Sequence, residues 1–174
     1  MNIAINISYV IFTLSIIIQI FYCFYFFIRL IFYKENSSSF NEPVSIIICA
    51  KDEVENLSRN LPSFLNQKYP KFEIIVVDDQ STDGTRFLLN DYEKRYQNFR
   101  VVTIDESVNS RIGKKFALAI GIKTAMYDYV LLSDADCVVQ SENWITKMTS
   151  SFVDKDIVLG ISPYKKETGF LNKL

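Results

Sequence analysis

The pattern of apolar and polar positions along the chain changes sharply near residue 33. From Ile3 to Ile28 there is no charged side chain, and the next charges along the chain are Arg29 and Lys34. A helix of about 20 apolar residues is long enough to cross the hydrocarbon core of a bilayer. We therefore predict one transmembrane anchor over residues 1–33, followed by a polar, serine-rich tether over residues 34–43.

The ends of the anchor predict its orientation. Aromatic residues, which are typical of the membrane–water interface, crowd the carboxyl-terminal end, and positive charge follows them at Arg29 and Lys34. The positive-inside rule then predicts a single-pass cell-membrane protein whose soluble domain faces the cytoplasm. A cleaved signal peptide would need a basic start, a shorter apolar stretch and a small-residue cleavage site. All three are missing, and a buried core helix of this length is rare.

Beyond residue 43, short β-branched runs alternate with helical patterns. The apolar runs predict strands at 44–49, 73–77, 101–104, 129–132 and 157–159. Apolar residues at spacings of three and four predict helices between the strands. Uninterrupted apolar strands are typical of a parallel sheet that is buried on both faces. The predicted fold class for residues 44–174 is therefore α/β, with a mostly parallel sheet flanked by helices.

Carboxylates gather where the predicted strands end. They are Asp52, Glu53, Asp78, Asp79, Asp83, Asp134 and Asp136. Ligands of such sheets bind beyond the carboxyl ends of the strands. Because neighbouring carboxylates repel each other, a cation is an economical way to compensate them. Mg²⁺ or Mn²⁺ takes oxygen ligands and keeps phosphates and water in its shell. Asp134 and Asp136, one residue apart, are the candidate metal ligands.

Two neighbouring features each allow two interpretations. Arg111, Gly113, Lys114 and Lys115 stand where a helix is predicted to begin, near Phe116. Cations at a helix amino terminus oppose the macrodipole, which favours a functional site for an anion such as a diphosphate. The alternative is a group of solvated lysines near a loop.

The acidic turn after the second predicted strand is the other case. Asp79, Ser81 and Asp83 could act as turn and capping residues for a helix that opens near Thr85. For Asp83 and Gly84 we favour this capping interpretation over a role in the site.

Amino-acid composition and net charge restrict the possible binding partners and the residue types available for the site. The 174 residues suffice for one domain plus an extra element, and a net charge of −1 gives no basic surface for nucleic acid. The three cysteines form no C-x-x-C pair, which favours a reducing compartment. There is no histidine, so a general base or protein metal ligand would be a carboxylate.

Four segments together resemble the family 2 glycosyltransferases, which have the Rossmann-like GT-A fold. They are V-S-I-I-I-C-A-K-D-E-V-E-N-L at 44–57, I-V-V-D-D-Q-S-T-D-G-T at 75–85, G-K-K-F-A-L-A-I-G at 113–121 and L-S-D-A-D at 132–136. Each segment alone is loose, but four in this order and spacing are specific. The resemblance implies a GT-A nucleotide-sugar-binding domain over residues 44–174.

The resemblance also implies roles for individual residues. The nucleotide-sugar site would comprise Ala50, Lys51, Glu53, Asp78, Asp79, Lys114 and Asp134. Within it Asp79 would bind the base or ribose, and Lys114 would lie near the nucleotide. Asp134 and Asp136 would hold Mg²⁺ or Mn²⁺ on the donor diphosphate.

The activity implied by the resemblance is metal-dependent, inverting transfer of a sugar from a nucleotide-sugar, UDP-linked donor to a lipid or polysaccharide acceptor at the lipid bilayer. The acceptor-binding region, acidic base and Q-x-x-R-W segment of such enzymes do not occur before Leu174. We therefore expect a donor-binding portion whose catalytic base lies beyond Leu174. The alternative is a truncated, non-catalytic membrane protein that keeps a nucleotide-binding or interaction module. A nucleotidyltransferase or a dinucleotide-binding Rossmann domain is disfavoured because their glycine-rich loops are missing.

Overall fold

The computed structural model describes residues 2–32, 40–104, 113–152, 155–160 and 162. The chain divides into two units, residues 1–36 and residues 37–174. The first unit contains helix α1, Asn2–Ile31, which is uninterrupted over 30 residues. Of the tether predicted for residues 34–43, only 40–43 belong to the described residues, so that boundary stays a prediction.

Helix α1 has the length and composition of a membrane-crossing helix. Its segment Asn6–Arg29 has 24 residues, which at 1.5 Å per residue extend about 36 Å, against about 30 Å for a hydrocarbon core. The side chains of Tyr22 and Phe26 stack with ring centroids 6.2 Å apart. The Arg29 guanidinium lies 5.8 Å from the centroid of the Tyr25 ring. The predicted helix is confirmed, whereas its insertion and orientation stay predictions.

The second unit has alternating strands and helices. In chain order they are β1 Val44–Ala50, α2 Val54–Leu65, β2 Phe72–Asp78, α3 Thr85–Arg95, β3 Phe99–Thr103, α4 Lys114–Thr124, β4 Tyr129–Asp134 and α5 Trp144–Thr149. The four strands are all parallel and lie in the order β3-β2-β1-β4. The predicted parallel α/β fold is therefore confirmed.

Both faces of the two central strands are buried, which explains their β-branched sequences. On one face, Ile46 and Ile48 of β1 belong to a core that also includes residues of α2, α3 and α5. On the other face, Ile47 packs in a second core with Ala117 of α4. A Cβ at Gly121 of α4 would lie 2.6 Å from Ile47 Cγ2, so the helix backbone approaches the sheet closely there. This close approach positions α4, which begins with Lys114.

One predicted strand is wrong. Residues 155–160 contain no strand, and Ile157 and Leu159 are 78% and 89% exposed. Three apolar residues form a strand only where a neighbouring strand supplies hydrogen bonds, and among the described residues none pairs with this run. Helix α5, which has only six residues, was not predicted from the apolar pattern.

Candidate functional site

The strand ends that carry the predicted site residues meet at one edge of the sheet. Strand β1 lies between β2 and β4, with Ala50 opposite Asp78 and Cys49 opposite Asp134. Beyond the strands, the Asp79 amide donates to the Ala50 carbonyl at 2.8 Å. This carboxyl edge therefore brings the ends of three strands together, as the topology prediction required.

Asp52 joins the loop after β1 to the loop after β2. Its carboxylate Oδ1 accepts the amides of Thr82, at 2.6 Å, and Asp83, at 3.3 Å. Its own amide donates to Ser81 Oγ at 2.9 Å, and its φ of 54° is in the left-handed region. The hydrogen bonds, that from the Thr82 amide first, lower the pKa of the Asp52 carboxyl. The two loops thus form one hydrogen-bonded unit.

Asp83 caps two helices at once. Its carboxylate accepts the amide of Val54, the first residue of α2, at 3.2 Å and that of Thr85, the first residue of α3, at 2.9 Å. The hydrogen bond with the Thr85 side chain is the largest cause of a lowered pKa at Asp83. The capping interpretation of Asp83 is confirmed, and the shared cap extends it.

The two aspartates after β2 have different surroundings. The Asp78 side chain is fully buried; its Oδ1 accepts the Ser81 amide at 3.1 Å, and its Oδ2 lies 3.5 Å from Arg86 Nε. Asp79 is 7% exposed, and its Oδ1 is buried with no hydrogen-bond partner among the described residues. Leaving a buried polar atom unpaired costs free energy, so such an atom calls for an explanation. Asp78 Oδ2 and Gln80 Nε2 are also buried without a hydrogen bond in the described part of the chain, but Asp78 Oδ2 is paired with Arg86. Asp78 therefore supports the loop from inside, whereas Asp79 Oδ1 is an acceptor that the described residues leave unused.

Lys114 and Asp134 form an ion pair at the same edge. Lys114 Nζ donates to Asp134 Oδ1 at 2.6 Å, and the two side chains are 67% and 54% exposed. This hydrogen bond is the largest cause of a raised pKa at Lys114, and the charge of Asp136 adds to it. Exposed pairs of this kind contribute only about 0–1 kcal/mol to stability. A charged ligand could therefore replace either partner at small cost.

Cys49 lies among these residues, although the sequence analysis gave it no role. Burial is the first cause of the raised pKa of its thiol. Lys114 lowers that pKa electrostatically, and Asp134 and Asp79 raise it. Cys49 lies opposite Asp134 in the register of β1 and β4, which places it at the same edge as the predicted site residues. Its place at the end of β1, one residue before Ala50, was the available sequence signal.

The other predicted site residues are placed as follows. Ala50 is buried at the end of β1, and Lys51 is exposed in the loop after it. The Glu53 carboxylate accepts Asn56 Nδ2 at 2.6 Å within the first turn of α2. Arg111 lies outside the described residues. Contacts of these residues with a nucleotide stay predictions.

The residues of the predicted metal site fit a divalent cation by their donor chemistry. Asp134 ends β4 and Asp136 follows two residues later, both exposed. Across the described ranges, no three acidic, histidine or cysteine side chains form a ready metal cluster. Mg²⁺ binds through one or two carboxylates and completes its shell with phosphate oxygens and water. Two exposed carboxylates beside a lysine are compatible with that mode of binding.

Comparison with known proteins identifies the family. The family model described as "Glycosyl transferase family 2" matches residues 45–174. The chain therefore belongs to glycosyltransferase family 2.

Two curated relatives show where the likeness lies. The chain is 34% identical over 125 residues to a poly-beta-1,6-N-acetyl-D-glucosamine synthase of Staphylococcus epidermidis, which covers 68% of this chain and 29% of that protein. It is 41% identical over 101 residues to a poly(ribitol-phosphate) beta-glucosyltransferase of Bacillus spizizenii, covering 57% of this chain and 16% of that protein. The chain thus spans less than a third of the length of either relative.

Solved structures confirm the GT-A-like fold. The mannosyltransferase PcManGT of Pyrobaculum calidifontis, in complex with GDP-Man and Mn²⁺, matches with a TM-score of 0.61 at 23% identity, over 72% of this chain and 37% of that one. TarS of S. aureus matches with a TM-score of 0.52 at 25% identity, over 60% of this chain and 18% of that one.

Proposed function

We propose that this chain binds a nucleotide-sugar donor together with a divalent metal at the carboxyl edge of its sheet. The bound donor serves transfer of a sugar to a polysaccharide or lipid acceptor at a membrane. The observation that carries the proposal is the buried, unpaired Oδ1 of Asp79, which lies at the same edge as the exposed Lys114–Asp134 pair. Family membership and the names of the two curated relatives support it.

Different residues of the site contact different parts of the donor. Asp79 accepts hydrogen bonds from the base or the ribose hydroxyls at the end of β2. The ends of β2 and β4 are two strand spacings apart, about 10 Å, so a nucleoside at Asp79 places its diphosphate toward Lys114. Lys114 donates to diphosphate oxygens, and Asp134 and Asp136 hold the metal. The metal, when bound, stabilises the leaving diphosphate.

Helix α1 is the feature from which we propose the cellular location of the site. We propose that α1 spans the cell membrane once, and that the donor-binding domain over residues 44–174 faces the cytoplasm. The apolar length of Asn6–Arg29 and the positive charge of Arg29 at its carboxyl end support this orientation.

Titration calorimetry on the full chain in detergent micelles tests the donor site. UDP and GDP are each titrated with and without Mn²⁺, and we expect one of them to bind more tightly with the metal than without it. Asp136→Asn should abolish the metal-dependent part of the affinity. Asp91→Asn, on an exposed carboxylate of α3 that pairs with Arg95, is the matched control and should bind as the unaltered chain does. Absence of metal-dependent binding of either nucleotide to the folded chain would show that the donor-site assignment is wrong.

A transfer assay separates the glycosyltransferase from the non-catalytic alternative. Membranes containing the chain are supplied with radiolabelled UDP-sugars, and label is followed into polysaccharide and lipid fractions. Incorporation of label that Asp136→Asn abolishes would exclude the hypothesis of a non-catalytic protein. Metal-dependent nucleotide binding without incorporation would favour it only if a chain extended through any coding sequence downstream of Leu174 also fails to incorporate label.

A further inference from the structure

A row of polar side chains on α2 and just beyond it holds the segment that carries the candidate metal ligands. Asn60 Nδ2 donates to the Ala135 carbonyl at 3.0 Å, and Ser63 Oγ accepts the Val139 amide at 3.1 Å. Gln67 then donates to the Ser141 carbonyl at 2.9 Å. The contacts follow the same order in both segments, so the row fixes residues 135–141 along the helix.

Asn60 is the member of this row that reaches the acidic segment itself. Asn60 and Ala135 are each 4% exposed, and Ala135 belongs to the hydrophobic core beside α2. Strand β4 ends at Asp134, so the Ala135 carbonyl lies beyond its last residue. The Cys137 amide donates to the Asp134 carbonyl at 3.2 Å and closes the turn.

These contacts determine where the two carboxylates point. Because the Ala135 side chain is fixed in the core, its neighbours Asp134 and Asp136 are directed outward, and both are exposed. The bond from Asn60 fixes the peptide group that joins Ala135 to Asp136. A peptide rotation there would move the Asp136 carboxylate relative to Asp134 without changing the sheet.

We infer that Asn60 is a positioning residue of the donor site, which sets the separation and direction of the Asp134 and Asp136 carboxylates through the Ala135 carbonyl. The inference rests on the proposed function, because it concerns the affinity of that site for a divalent metal and a nucleotide. Partners that orient metal-binding groups in this way change metal affinity by about 10- to 100-fold when they are replaced.

The test compares Asn60→Leu with Gln67→Leu in the full chain. Both replacements remove a buried amide of the same row, but Gln67 contacts Ser141 and Ile145, away from the acidic turn. UDP and GDP affinity is measured with and without Mn²⁺, and global stability is measured for each variant by urea unfolding. We expect Asn60→Leu to weaken the metal-dependent part of binding by about 10- to 100-fold and to leave metal-independent binding unchanged. Gln67→Leu removes three hydrogen bonds, so it should lose at least as much stability as Asn60→Leu and keep both parts of the binding.

The outcomes separate the inference from the function on which it rests. If the unaltered chain binds neither nucleotide with Mn²⁺, the proposed function fails. If the unaltered chain binds and the two variants lose affinity equally, the donor site stands and the positioning role of Asn60 is wrong.

A measurement on the unaltered chain covers the case in which Asn60→Leu does not fold. Addition of the nucleotide with Mg²⁺ should shift the side-chain amide resonances of Asn60 and leave those of Gln67 in place. Shifts of the Asp134 and Asp136 backbone amides without a shift at Asn60 would overturn the inference.

Discussion

Replacing Gly121 by alanine tests how closely α4 approaches the sheet and whether that approach matters for the site. The new Cβ would lie 2.6 Å from Ile47 Cγ2 and 3.1 Å from Val77 Cγ2. Carbon atoms pack best at about 3.5–4.0 Å, so the helix must move outward by about 1 Å. Ile47 and Val77 are fully buried on the two central strands, so we expect the helix to move and not these side chains.

The expected magnitude combines two opposing effects. Overpacking of a well-packed core costs about 1–3 kcal/mol, whereas alanine favours a helix over glycine by about 1 kcal/mol. We therefore expect Gly121→Ala to lower the free energy of unfolding by about 1 kcal/mol. It should also weaken nucleotide binding, because Lys114 begins the displaced helix.

Urea unfolding followed by Trp144 fluorescence is a suitable assay. Trp144 is the sole tryptophan of the chain, and its ring contacts Phe64 in the core with centroids 5.8 Å apart. Ala119→Gly, at an exposed position of α4, measures the helix-propensity effect alone and should cost about 1 kcal/mol. A gain of about 1 kcal/mol from Gly121→Ala with unchanged nucleotide binding would refute the close approach.

Four further predictions follow from the site and the anchor. Lys114→Met should weaken metal-dependent nucleotide binding by about tenfold or more, since hydrogen bonds to charged groups contribute about 1.5–3 kcal/mol. Lys115→Met is the control, and equal losses of affinity in calorimetry would contradict a specific role of Lys114. The folded-state pKa of Asp52 is lowered, so the stability from its loop contacts is present above the unfolded pKa of about 3.9 and is lost as the pH falls through the folded pKa. Urea unfolding of Asp52→Asn should therefore differ from the unaltered chain at pH 6 and converge with it in strong acid; a constant difference would argue against this linkage. Because the pKa of the Cys49 thiol is raised, its alkylation by iodoacetamide should be slow at pH 8 and slower still with nucleotide and Mn²⁺. Mass spectrometry can measure both rates, and rates that nucleotide does not change would place the ligand elsewhere. An epitope fused after Leu174 should be protected from external protease in intact cells, and cleavage there would reverse the predicted orientation.

The sheet was predictable because its central strands leave few alternatives. Residues 46–50 of β1 and 74–77 of β2 are apolar at successive positions, as burial on both faces requires, and the predicted bounds of the two strands agree with the structure within one residue. Because parallel strands end at one edge, the placement of Asp79 and Asp134 at the same edge also followed from the pattern. The run at 157–159 failed because strand formation depends on a neighbour that three residues cannot specify.

The contacts that shape the site were not predictable in the same way. Asp52 and Gln80 have φ values of 54° and 61°, and no local pattern indicates those conformations. The bond from Asn60 to Ala135 joins residues 75 positions apart. A signal was present in the spacing of Asn60, Ser63 and Gln67, which places polar residues beside the apolar side of α2 and just beyond its end. Their partners, however, depend on how the chain packs after β4.

A nucleotide-sugar donor should bind at the carboxyl edge of the sheet, and the residues of that edge should respond to it. Amide resonances of the ¹⁵N-labelled full chain in micelles, recorded during titration with UDP or GDP and Mg²⁺, test this binding most directly. We expect shifts in residues 50–53, 79–84, 113–115 and 134–136, with little change at the opposite edge in residues 42–45, 71–73 and 126–129. Shifts confined to the opposite edge, or no shifts with either nucleotide, would contradict binding at the carboxyl edge.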